Sequence, residues 1–148
     1  MKLIITFLFA FSISFAQSPR KKDFLETLDY NNLKTWTTCN VDSVFLKSDT
    51  IYLDDLFDYV NCKEQVMWHF ENLKSFWQVS SWSLENGMGK TKIMNEKDHY
   101  KIKIIENEKE TLLKVYNKRI LIETYQILSA GYDSKLRKNR LVLKRIRI

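Results

Sequence analysis

From residue 33 onward the dominant hydrophobic period is two. Tyr100, Ile102 and Ile104 alternate with Lys101 and Lys103, the clearest half-buried strand in the chain. Val66, Trp68 and Phe70 point one way and Met67 and His69 the other, and 76–84 resumes as strand with Trp77 and Val79 on one side. Two more strands, 111–116 and 120–129, are joined at Asn117, Lys118 and Arg119, and Leu141, Val142 and Leu143 open a last one. Asn72 to Ser75 reads as a tight connection and 106–110 as a charged turn. Seven to nine short strands with hairpin-length links, and no strand–helix–strand alternation, predict a mainly β fold. An antiparallel meander closing into a barrel would remove the exposed edges that invite aggregation.

Two stretches depart from this period. Phe24, Leu25 and Leu28 predict a short N-terminal helix, broken at Asp29 to Asn32. Leu53, Leu56, Phe57 and Val60 follow i, i+3, i+4, i+7 with Asp54, Asp55 and Asp58 opposite, which fits a short amphipathic helix or an irregular strand. The first sixteen residues are different again. Lys2 precedes an apolar run from Leu3 to Phe15, and Ser14 and Ala16 supply the small residues that signal peptidase requires. Residues 1–16 are thus expected to be a cleaved secretory signal, with an uncleaved anchor as the alternative, and 17–148 a single domain in the periplasm or outside the cell. No Cys stands near the cleavage site to take a lipid anchor.

Several segments together resemble secreted lipocalin-like domains. They are Leu33-Lys34-Thr35-Trp36, Cys62 leading into Val66-Met67-Trp68-His69-Phe70, Ser81-Trp82-Ser83-Leu84, Tyr125-Gln126-Ile127-Leu128 and Arg140-Leu141-Val142-Leu143. The chain departs from that pattern at Lys34, where the family has glycine. The end of the signal is similar to those of Bacteroidota-type secreted proteins. The resemblance implies a cup whose apolar interior holds a small hydrophobic molecule, without a fixed set of contact residues.

Composition refines this picture at two points. Cys39 and Cys62 are the two cysteines, so in an oxidising compartment a single disulfide is expected. Two separate buried thiols are the alternative, and neither C-x-x-C spacing nor a His pair favours zinc. The net charge of +6 is unevenly placed. Lys135, Arg137, Lys138, Arg140, Lys144, Arg145 and Arg147 crowd the C-terminus with no acid among them. These seven are expected either to contact an anionic envelope surface or to line the solvent face of an edge strand. No nucleic-acid module is visible.

Catalytic and cofactor chemistry is thinly represented. Gly87-Met88-Gly89-Lys90-Thr91 lacks the first glycine of a phosphate loop, because Leu84 stands there. His69 reads as a surface histidine and His99 as a solvated loop residue, and no serine sits in G-x-S-x-G. Asp49, Asp54, Asp55 and Asp58 lack the order of a calcium loop. The expectation is a secreted, non-catalytic binding module for a small apolar or amphipathic molecule, needing no cofactor or metal, with an envelope interaction protein that uses its basic C-terminal strand as the alternative. Trp68, Phe70, Trp77, Trp82 and Tyr100, on consecutive strands, form either a plain core or an aromatic-lined ligand pocket, with Gln78 and Ser80 as inward polar groups.

Overall fold

A computed structural model of the chain describes residues 19–30, 35–56, 62–83, 89–92 and 95–147. The expected signal segment lies outside them. Nine strands follow a helix: α1 (Lys21–Tyr30), β1 (Thr35–Cys39), α2 (Val44–Lys47), β2 (Thr50–Asp54), β3 (Glu64–Asn72), β4 (Ser75–Ser83), β5 (Gly89–Thr91), β6 (His99–Glu106), β7 (Thr111–Asn117), β8 (Ile120–Asp133) and β9 (Lys138–Arg145). Every pairing is antiparallel. The order β3-β1-β2-β9-β8-β7-β6-β4 closes on itself through β3–β4, giving the closed antiparallel barrel expected, with eight strands where the alternation predicts seven to nine. β5 extends the wall beyond the start of β6 by pairing with the end of β4.

Short polar side chains hold the turns, two of them at the expected places after β3 and β6 and a third after β8. Asn72 Oδ1 accepts from the Lys74 amide at 2.8 Å, Asn107 Oδ1 from the amides of Lys109 and Glu110, and Asp133 Oδ1 from those of Lys135 and Leu136. Each offers the backbone a local partner that ends one strand and starts the next. At the β7–β8 turn Lys118 takes a positive φ of 55°.

One detail departs from a simple up-and-down meander. β2 and β3 lie on opposite sides of β1, so these two strands, consecutive in sequence, are not neighbours in the sheet. The Cys39–Cys62 disulfide, with Cα atoms 5.8 Å apart, ties the end of β1 to the approach to β3. Leu53, the first residue of the i, i+3, i+4, i+7 pattern, is a buried strand residue of β2 rather than helical. Its apolar side chain is claimed by the barrel core, which overrides the local periodicity. Leu56 is exposed in a bend, and Phe57 and Val60 lie outside the described residues.

Inward-facing residues fill the barrel. Trp36, Trp68, Phe70, Phe76, Leu53, Leu113, Ile127, Leu141 and Leu143 are fully buried in one cluster. Burying each such side chain favours folding by about 1.5–3 kcal/mol. Phe24 and Leu28 of α1 enter the same cluster near the start of β7, where Thr111 Oγ1 donates to the Pro19 carbonyl at 2.7 Å. From the other end, where β1 and β9 finish, Phe45 of α2 closes the cluster.

Candidate functional site

The five aromatics singled out by the strand pattern do not share one face. Trp68 and Phe70 are 1 % and 2 % exposed inside the barrel. Phe76 stacks on Trp68 with centroids 4.4 Å apart and on Tyr100 at 5.4 Å, and Tyr125 meets Trp68 edge-on at 5.8 Å. Tyr100 is half-buried at the edge of this stack, and burial raises its phenol pKa. Gln78, directly across from Trp68, accepts its indole N–H at 3.0 Å. Trp82 follows the same inward phase, but the extended wall carries it past the packed region and leaves it 38 % exposed. Trp77 sits on the opposite pleat between Phe76 and Gln78 and faces out of the barrel. Among the described residues, one inward polar atom, Trp36 Nε1, is buried without a partner.

The end of the barrel near α2 is sealed by a cation. Arg145 faces inward, 9 % exposed. Its guanidinium bonds Glu123 at 2.9 Å and donates to the carbonyls of Phe45, Leu46 and Ser48, the last at 2.8 Å. It also lies over the rings of Phe45 and Tyr125. Burial pushes the Tyr125 phenol up to about 12, against the opposing pull of Arg145.

The other C-terminal cations are also largely engaged. Asp54 receives Arg140 through two bonds, at 2.6 and 2.9 Å, and Lys138 at 2.7 Å. Burial alone would raise the Asp54 carboxyl, but the bonds from Arg140 and Lys138 hold it below its usual value. Arg147 pairs with Asp49 at 2.9 Å. Of the seven basic residues, Lys135, Arg137 and Lys144 are the exposed ones without an acid partner among the described residues. The acids considered for calcium serve here as partners: Asp49 and Asp54 of cations, Asp55 of Asn139. Asp58 lies outside the described residues, among which no three His, Cys, Asp or Glu groups could hold a metal ion.

A second polar cluster occupies the outer face of β3, β4 and β6. Glu71 accepts the Trp77 indole N–H at 2.7 Å, pairs with His99 Nε2 at 3.0 Å and accepts the Ser75 hydroxyl at 3.3 Å. The Trp77 bond is the main reason its carboxyl stays below the usual value. Trp77 and His99 are directly paired across the strands, their rings 4.6 Å apart. Trp77, His99, Lys101, Lys118 and Glu96 border an open depression of about 320 Å³. His99, read from sequence as a loop residue, is instead the first residue of β6. A single 3-10 turn just before it, capped by Asn95 and Asp98, places it there. Ser75 bonds the carboxylate and not the imidazole, the reverse of the order that activates a hydroxyl. His69, also on the outer face, is exposed and bonds Thr35 at 2.9 Å.

Compared with known proteins, the chain matches no family model, and no curated protein or solved structure is significantly similar to it.

Proposed function

We propose that this protein is a secreted, non-catalytic interaction module whose barrel is a solid scaffold and whose outer surface makes the contacts. The observation that carries this reading is the filled interior, where Trp68, Phe70 and Tyr100, three of the five positions expected to line a pocket, pack with Phe76 and helix residues close both ends. The signal-like first sixteen residues and the disulfide support a place in an oxidising compartment outside the cytoplasm. The Bacteroidota-type character of that signal belongs to the same reading.

The alternative is a carrier of a small apolar or amphipathic molecule, as in lipocalin-like cups. One observation favours it: the buried Trp36 N–H without an acceptor, a group that a water or a ligand atom would satisfy. Native mass spectrometry of the protein purified from its own secretion fraction separates the two. The scaffold reading expects a ligand-free mass and no enhancement of an apolar fluorescent probe. A co-purifying apolar molecule that leaves on unfolding would overturn it in favour of the carrier.

A further inference from the structure

The outer face of β6 and β7 carries four lysines without an acid partner among the described residues, while Glu71 pairs His99 at its edge and Glu96 borders the same depression as Lys101 and Lys118. His99, Lys101 and Lys103 share the outward phase of β6, and Lys114 and Tyr116 that of β7. Lys103 stands directly opposite Lys114, and Lys101 opposite Tyr116. Lys118 follows at the turn. None of these four lysines makes an ion pair or hydrogen bond among the described residues. No carboxylate shares the outward phase of β6 or β7. Two like charges in direct cross-strand register destabilise a sheet, so the arrangement costs stability where an acid at either position would relieve it. Same-face residues are about 7 Å apart along a strand and about 5 Å across strands, so the lysines form a compact lattice of positive charge.

The Trp77–His99 pair borders this lattice, and its rings are held still. Three donors converge on Glu71, fixing the indole and the imidazole side by side although the carboxylate itself is 43 % exposed. A rigid surface ring beside unpaired lysines suits a partner with flat apolar faces and regularly repeated negative charge. A uronate-bearing polysaccharide has both: the C–H face of a pyranose packs on an indole, and its carboxylates meet ammonium groups. Single-stranded nucleic acid combines rings and charge in a related way, but a disulfide-bonded, secreted module meets acidic polysaccharide before it meets nucleic acid.

We infer that the outer face formed by Trp77, His99, Lys101, Lys103, Lys114 and Lys118 binds an acidic, uronate-type polysaccharide. This deepens the reading of the domain as an interaction module and rests on it.

The test is calorimetric titration of the disulfide-intact protein with an oligogalacturonate, its methyl ester and a single-stranded oligonucleotide, at low and high salt. Binding is expected to the free acid, weakened by methyl esterification and by salt. Lys103→Ala with Lys114→Ala should weaken it by about fivefold per lysine at low salt. Trp77→Ala should weaken it by about tenfold, a loss that persists at high salt. Lys135→Ala, at the exposed turn between β8 and β9, should leave it unchanged. The double lysine variant removes no bonded side chain, so it remains informative where Trp77→Ala disturbs β4. Absence of binding, equal binding of the methyl ester, or tighter binding of the oligonucleotide would overturn the inference. A tightly held apolar molecule in the native mass would overturn the interaction-module reading itself, so the two failures are distinct.

Discussion

The C-terminal strand and the outer face of β6–β7 are both rich in cations, and they use them in opposite ways. In β9 and just beyond it, Arg140 and Lys138 converge on Asp54, Arg145 is walled in by Glu123 and three carbonyls, and Arg147 meets Asp49. On β6, β7 and the turn that follows, four lysines stand without partners among the described residues, two of them face to face. In sequence the C-terminal group is the more conspicuous, because its seven charges fall within a few residues of one another. The lesson is that charge density along a chain does not measure charge available to a partner. A cation paired within the barrel contributes to holding strands together, and an unpaired one keeps its field for something else.

The comparison can be broken by substitution, and the largest effect belongs to Arg145. Arg145→Met should strand Glu123 and leave the α2 carbonyls without donors, lowering stability by about 3–5 kcal/mol, read as the midpoint of chemical unfolding. A loss below about 1 kcal/mol would mean the cation is dispensable and the end of the barrel is closed by packing alone.

Asp54 comes next. Asp54→Asn leaves Arg140 and Lys138 sharing a neutral partner and should cost about 2 kcal/mol. The sign of its pH dependence follows from its lowered pKa: the contribution is present above the unfolded value near 4, and is lost as pH falls through the still lower folded value. The acid limb of the stability curve should therefore flatten in Asp54→Asn, and an unchanged limb would contradict the account. At the alkaline end, Tyr125 has the opposite sign. With its folded pKa raised from 10.0 to about 12, its contribution is present below pH 10 and lost as pH rises toward 12. Tyr125→Phe should abolish that loss.

The smallest effect sharpens the comparison most. Lys103→Glu converts a like-charged cross-strand pair into an opposite one and should raise stability by roughly 0.2–1 kcal/mol, measurable as a higher unfolding midpoint in low salt. A stabilising change that also removes glycan affinity would show a surface set for binding and not for stability.

Much of the fold was legible before any coordinates. The alternation of Tyr100, Ile102 and Ile104 with lysines reads directly as β6, Asn72 and the charged 106–110 stretch mark hairpins, and the two cysteines pair. The exchange of β2 and β3 about β1 was not legible, because strand order depends on long-range pairing that no local period records. The same limit hid the outer face. The sequence pattern groups Trp77 with Trp68 in one pocket, and only the register of β4 with β3 and β6 turns Trp77 outward and brings Glu71, Trp77 and His99 together. Lys103 and Lys114 are eleven positions apart in the chain, and their opposition exists only once β6 and β7 are paired.

The most direct test of the central claim, that the β6–β7 face and not the C-terminal strand meets an anionic partner, is an NMR titration of the isotope-labelled protein with oligogalacturonate. The account predicts shifts concentrated at the Trp77 indole N–H and the amides of Lys101, Lys103, Lys114 and Tyr116, with the 138–147 segment unmoved. Shifts centred on Lys135, Arg137, Lys144 or Arg147, with the β6–β7 face silent, would contradict it.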